Sequence, residues 1–209
     1  MSPRWRRQDD RAPMSWEQRQ DERLENMLGA LAVTLGQRVQ ERMGEAAGCS
    51  PLAVTALQWI ARGRHLRSRD LVEALEITSP GASQLVRSLI VAGLVQRTRA
   101  RDRRQWVLRV TELGARREIQ ARLARAKVVG EVVTTLPFAW RLRLIRIVEK
   151  LLAQMVHSKQ SVLELCRHCD WDSCRDAVIE PCPVAVAYAE WKSSSRLGQD
   201  GWAAREDWW

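Results

Sequence analysis

Residues 92–114, AGLVQRTRARDRRQWVLRVTELG, constrain the fold of this chain more than any other stretch. Ala92-Gly93 reads as a helix stop, because glycine takes the left-handed conformation that closes a helix at little cost. Leu94-Val95 opens a short strand. Residues 97–104 then carry six charges, Arg97, Arg99, Arg101, Arg103 and Arg104 against Asp102. A second strand follows, apolar at Trp106, Leu108 and Val110 and closed by Thr111. Two strands joined by an arginine-rich turn, directly after a helix, make a wing. Guanidinium groups on such a turn suit the phosphates and minor groove of duplex DNA.

The chain before the wing reads as four helices. Ser15 and Gln18 form a capping box at the start of the first. Leu24, Met27, Leu28, Leu31, Leu35, Val39 and Met43 recur every three or four residues, one apolar helical face. Residues 44–49 are the break. Ser50-Pro51 is an N-cap followed by proline at the first helical position. It opens a second helix with Leu52, Leu57, Trp59 and Ile60, ended by Gly63. Ser68 caps a short third helix holding Leu71, Val72 and Leu75. Ser79-Pro80 repeats the start signal and opens a fourth helix, with Leu85, Val86, Leu89 and Ile90 inward. The third and fourth helices form a helix-turn-helix whose second member suits the major groove. The expected fold class is mainly α with a small β-wing, a winged helix-turn-helix.

After the wing, a helix is expected from Glu112 to about Thr134. Pro137 separates it from another, Phe138 to about Leu165. With the first helix these exceed what one small DNA-binding unit needs to cover its core. They predict a homodimer through N- and C-terminal helices, reading a near-palindromic double-stranded operator. The expected organisation is a disordered basic arm over 1–14, a dimerisation helix over 15–48 and a DNA-binding domain over 49–111. Dimerisation helices over 112–165 and a cysteine- and tryptophan-rich tail over 166–209 complete it.

Charge agrees with this division. Residues 161–209 hold 5 Lys+Arg and 9 Asp+Glu, net −4, which leaves +13 on residues 1–160. The basic charge therefore belongs to the part that carries the wing. No apolar run approaches the ~20 residues of a membrane span. The start, MSPRWRRQDDR, offers no apolar signal segment. A cytoplasmic, nucleoid-associated protein without a membrane partner is expected.

Over roughly residues 20–157 the chain resembles the MarR family of bacterial regulators. Leu89 to Arg97 supply the family's Leu-x-x-x-Gly-Leu-Val-x-Arg run. Asp102-Arg103-Arg104 supplies its Asp-x-Arg, and Val110-Thr111-Glu112-Leu113-Gly114 its Leu-Thr-x-x-Gly, with valine for leucine. The resemblance implies a triangular homodimer with a recognition helix in each major groove. On this chain that helix presents Gly81, Ala82, Ser83, Gln84 and Arg87. Arg99, Arg101, Arg103 and Arg104 would enter the flanking minor grooves. The family often has arginine where Gln84 stands; glutamine pairs bidentately with adenine, arginine with guanine. Asp102 would repel phosphate, and its expected role is to pair with Arg104 and shape the wing tip.

Cys166, Cys169, Cys174 and Cys182, spaced C-x2-C-x4-C-x7-C, lie beyond this resemblance. Cytosolic thiols stay reduced, so clustered cysteines there point to metal rather than to disulfides. Four thiolates suit an iron–sulfur cluster or Zn²⁺. Only one short C-x2-C knuckle is present, and Cys182 precedes a proline. Both features favour iron–sulfur, 4Fe-4S before 2Fe-2S, with Zn²⁺ as the alternative and a thiol switch as a third. The layout is similar to the superoxide-sensing MerR-type regulator, whose four-cysteine loop lies beyond its dimer helix. His168 is read as a solvent-facing loop residue, Cys49 as a small buried one, and His65 and His157 carry no signal. Five of the ten tryptophans, Trp171, Trp191, Trp202, Trp208 and Trp209, fall in the tail, which implies that they bury against something.

The expected function is a sequence-specific transcriptional regulator, not an enzyme, whose DNA affinity responds to the cluster through redox, nitric oxide or iron. Three alternatives differ in class. They are a regulator with an aromatic small-molecule effector and a structural zinc tail, a cluster-bearing redox or electron-transfer protein, and an architectural DNA-binding protein. No glycine-rich nucleotide fingerprint or nucleophile–base pair supports an enzyme.

Overall fold

A computed structural model describes residues 14–63, 66–99, 106–167, 169–170 and 181–194. Its elements in chain order are α1 (Trp16–Ala47), α2 (Pro51–Arg62), α3 (Ser68–Leu75), α4 (Ser79–Val91), β1 (Val95–Arg99) and β2 (Trp106–Val110). Then come α5 (Glu112–Val133), α6 (Phe138–Gln154), α7 (Lys159–Cys166) and α8 (Pro183–Ser194). The chain divides into two units, one ending at Arg38 and the other beginning at Val39.

In the first unit, α1 starts at the expected capping box. The Ser15 amide donates to Gln18 Oε1 at 2.8 Å and the Gln18 amide donates to Ser15 Oγ at 3.1 Å. Leu24, Met27, Leu28 and Leu31 line one helical face, and all four are exposed.

The second unit is built around α2. Ser50 Oγ accepts from the Ala53 amide, Pro51 takes the first turn, and Gly63 closes the helix. Leu57, Trp59 and Ile60 of α2 bury with Leu71 and Leu75 of α3, Val86 and Leu89 of α4, and Val95 and Leu108 of the wing. Each fully buried large side chain is worth about 1.5–3 kcal/mol, so this cluster holds the helix-turn-helix and wing as one body. The opposite side of α2 turns Val54 to Met43, Ala47 and Ala121, which binds the end of α1 and the middle of α5.

The two strands pair antiparallel, Val95 opposite Val110 and Arg99 opposite Trp106. The Leu108 amide also donates to the Leu66 carbonyl at 2.7 Å, so the segment before α3 ties the wing to the helices. The apolar positions read on β2 from the sequence are Trp106, Leu108 and Val110. In the structure Val107 and Leu108 are both buried and Trp106 is exposed. Leu108 lies in the main core and Val110 packs against it, while Val107 is buried on the other face of the strand.

Two helix starts lie one residue earlier than the sequence suggests. Arg67, not Ser68, is the N-cap of α3, because the Asp70 carboxylate accepts the Arg67 amide at 2.8 Å. Thr78, not Ser79, caps α4, its hydroxyl accepting the Gly81 amide at 3.2 Å. The single helix expected from Phe138 to Leu165 is two. Met155 to Ser158 interrupt it, and Ser158 with Ser161 forms a new capping box that starts α7. A serine pair inside an apolar pattern competes for backbone amides and so stops one helix and starts the next. Helix α8, within the tail, packs on α6 and α7.

Candidate nucleic-acid interface and cysteine segment

Helix α4 carries the candidate reading face. Pro80, Ser83, Gln84, Arg87, Ser88 and Val91 are exposed at helical spacing, one continuous stripe, while Leu85, Val86 and Leu89 point to the core. Of the five expected residues, Ser83, Gln84 and Arg87 lie on that stripe. Ala82 is buried, with 1% of its surface exposed, and is not presented outward. It sits one position off the stripe, where helical geometry turns a side chain inward. Gly81 is half-buried, and a Cβ there would come 3.2 Å from Thr78 Oγ1. Its small size therefore serves the helix cap. Ser88 and Val91 join the face unannounced, since neither residue type signals base contact by itself; Val91 is 82% exposed.

Arg97 and Arg99 are exposed on β1. The Arg99 guanidinium lies over the Trp106 ring, 4.2 Å from its centroid. Arg101, Asp102, Arg103 and Arg104, the expected wing tip with its Asp102–Arg104 pair, lie outside the described residues.

The wing is anchored to α5 through Thr111. Its hydroxyl donates to the Gly93 carbonyl at 2.6 Å and accepts the Gly114 amide at 3.0 Å. The Thr111 amide reaches the Leu94 carbonyl at 3.0 Å. Gly114 fits so closely that a Cβ would lie 2.0 Å from that carbonyl oxygen. Threonine and glycine in this motif therefore join the end of α4 to the start of α5.

Of the four tail cysteines, Cys166 is buried at the end of α7 in a cluster with Val156, Val162 and Val184. Cys182, immediately before α8, packs on the same cluster. Cys169 lies one turn beyond Cys166, its amide donating to the Cys166 carbonyl at 3.1 Å. Cys174 and His168 lie outside the described residues, as does Trp171. Among the described residues no three His, Cys, Asp or Glu side chains are grouped to hold a metal ion. Trp191 stacks on Tyr188, ring centroids 5.7 Å apart, so one tail indole has a partner within α8.

Two arginines hold the cysteine turn to the winged-helix body. Arg62, the last residue of α2, donates from Nη1 to the Cys166 carbonyl at 3.2 Å and from Nη2 to the Cys169 carbonyl. Burial lowers its pKa, while Glu118, Cys169, Asp170 and Cys166 act in the opposite direction. Arg122 of α5 pairs with Asp170 at 3.7 Å. Cys49 lies apart between two core clusters, half-buried rather than buried as expected. Burial pushes its thiol pKa up, partly offset by Arg117.

No described helix is long and apolar enough to cross a membrane. Residues 47–105 match the sequence model of the MarR family. No curated protein matches the chain. Among solved structures, the YusO protein from Bacillus subtilis superposes with a TM-score of 0.58 at 22% identity, over 68% of this chain and 100% of that one. A MarR family protein from Bacillus stearothermophilus gives 0.58 at 24%, over 68% and 99%. A point mutant of S. aureus MepR bound to an oligodeoxyribonucleotide gives 0.50 at 18%, over 64% and 98%. Over residues 47–105 the chain is thus similar in sequence to the MarR family, and its fold is the MarR-type winged helix.

Proposed function

We propose that this protein is a homodimeric, cytoplasmic, DNA-binding transcriptional regulator of MarR type. The observation that carries this reading is the exposed α4 stripe of Ser83, Gln84, Arg87 and Ser88 beside a wing stem bearing Arg97 and Arg99. A helix face of that length fits the major groove, and the arginines fall where phosphates flank it. Binding of an oligodeoxyribonucleotide by the S. aureus MepR mutant supports the same use of the fold. The exposed apolar residues of α1, and Leu142, Ile145, Val148 and Leu151 of α6, support a second copy as partner.

The finer reading is that a four-cysteine iron–sulfur centre on Cys166, Cys169, Cys174 and Cys182 sets DNA affinity. Its support is the cysteine spacing, the shared apolar cluster of Cys166 and Cys182, and two arginines at the turn. A dication or cluster on four thiolates is negative overall, which Arg62 and Arg122 would offset. Those four residues would hold the centre; the metal would supply a state that changes with oxidant or nitric oxide.

The test has two parts. Duplexes selected from a random pool should yield a near-palindromic operator bound about 10³-fold or more above random DNA at physiological salt. No preference defeats the regulator reading in favour of an architectural one. Anaerobic purification should give brown protein with iron and sulfide in stoichiometric amounts. Colourless protein with one zinc replaces the cluster with a structural site, and protein without either metal removes the centre.

A further inference from the structure

Helix α7 uses two faces. Val162 and Cys166 bury in a cluster with Val156 and with Val184 of α8. The other face, with Lys159, Gln160, Leu163 and Arg167 at helical spacing, meets the helix-turn-helix. Lys159 pairs with Glu73 of α3. Leu163 packs against the main core. Gln160 donates to Glu76 Oε1 at 2.7 Å and Arg167 donates to Glu76 Oε2 at 3.2 Å. The last carbonyls of a helix need outside donors, and Arg62 of α2 supplies one to Cys166 at 3.2 Å. Both ends of α7 are thus fixed to the body that carries α4.

Glu76 is the corner residue between α3 and α4. Its φ is 53° and its ψ 42°, and it is the one described non-glycine residue in the left-handed region. A side chain is crowded in that conformation, and glycine would close α3 at lower cost. The carboxylate, however, makes two contacts that glycine could not. Thr78 caps α4 only two residues later, and Ile77 between them packs against the core. The torsions at Glu76 therefore set the direction in which α4 leaves α3. The Arg167 side chain keeps 23% of its surface exposed and that of Glu76 44%. A pair so open to water adds little to overall stability. Its consequence is where it holds the corner.

We propose that Gln160 and Arg167 are positioning residues for base reading: by holding the Glu76 carboxylate they set the angle at which α4 presents Ser83, Gln84 and Arg87. This rests on the DNA-binding reading above and is independent of the cysteine centre. A bidentate base contact needs distance and angle together, whereas a phosphate contact fixes register without reading sequence. A loosened corner therefore costs discrimination first and leaves non-specific affinity nearly intact.

The experiment measures binding of full-length protein to the selected operator and to random duplex at one salt concentration, beside a melting curve. The double variant Gln160→Ala, Arg167→Ala leaves the helix-turn-helix untouched. Its operator-to-random affinity ratio should fall about tenfold, the size of a coupling carried by residues remote from the ligand. Arg167→Lys in the wild-type background keeps the charge and should retain most of the ratio. Glu76→Gly separates positioning from stability. It removes the carboxylate but suits the left-handed backbone, so the melting temperature should hold or rise while the ratio falls as in the double variant. A ratio unchanged in the double variant or in Glu76→Gly overturns the proposal and leaves the regulator reading standing. A melting temperature that falls together with the ratio in Glu76→Gly makes the corner merely structural and also overturns it. A wild type with no preference for any duplex overturns the regulator reading and the proposal together.

Discussion

The guanidinium of Arg99 stacks on the indole of Trp106, its partner across the two-stranded wing, 4.2 Å from the ring centroid. The contact lies at the last described pair of the stem. A cation–π pair at an exposed site is worth about 0.5–1 kcal/mol. It holds the strand ends together where no core reaches. Trp106→Ala should therefore weaken binding to operator and random DNA alike by severalfold, measured by fluorescence anisotropy, without changing sequence preference. A selective loss on the operator would contradict a role in the wing stem.

Gln84 and Ala82 should behave oppositely, although both lie in the first turns of α4. Gln84→Ala should cost roughly 1–3 kcal/mol at one or two base pairs per half-site and leave thermal stability unchanged. Ala82→Leu should lower the melting temperature instead, because a larger side chain has no room at a buried position. Competition binding against single-base operator variants and a melting curve separate the two. Loss of base discrimination at unchanged stability in Ala82→Leu would contradict its inward placement.

Gly114→Ala should be among the most damaging small substitutions in the chain. The added methyl would meet the Leu94 carbonyl oxygen at 2.0 Å, and backbone cannot swing aside as a side chain does. A destabilisation of about 1–3 kcal/mol or more is expected, read as a drop in the urea midpoint. Gly130→Ala, where nothing lies within 4 Å, is the control and should not destabilise.

The seat of α7 on α3 should depend on pH in one direction. Hydrogen bonding from Gln160, then from Arg167 together with its charge, holds the Glu76 carboxyl below its ordinary pKa. A depressed carboxylate contributes fully above the ordinary value, about 4.3, and its contribution is lost as pH falls through the lowered one. Protection of α7 amides should thus be flat from about pH 5 to 8 and fall only in stronger acid. Glu76→Gln should remove that acid step; an unchanged step would assign it elsewhere.

Cys49 should be the slow thiol of the chain. Burial raises its pKa, and the neutral thiol is a poor nucleophile. Alkylation of the folded protein near pH 7.5, followed by mass spectrometry, should leave Cys49 unmodified until denaturant is added. Rapid labelling would contradict its packed position between the two clusters.

Much of this fold was legible because its signals are local. Ser15 with Gln18, Ser50 with Pro51 and the glycine after Ala92 act within a turn of chain, so spacing alone locates α1, α2 and the end of α4. The wing was readable because its charge run begins within one short strand and is followed by a second, mostly apolar one. Local signals misled where a neighbour in sequence competed. Asp70 took the Arg67 amide and Thr78 took the Gly81 amide, each moving a cap by one residue. Ser158 with Ser161 divided what apolar periodicity joined.

What tertiary structure decided is which side of each element is used and what the tail touches. Ala82 turns inward and Val91 outward because the core of α2, α3 and the wing fixes the rotation of α4. No composition rule could assign Leu66 to the wing or Arg62 to the cysteine turn. Those contacts join segments separated by 42 and about 100 residues. The sequence determined a winged helix, the exposure of Ser83, Gln84 and Arg87 on α4 and a cysteine spacing, since each follows from short-range geometry. The seat of the cysteine segment on α2 and α3 was decided in three dimensions, where buried charge must find an acceptor wherever the chain supplies one.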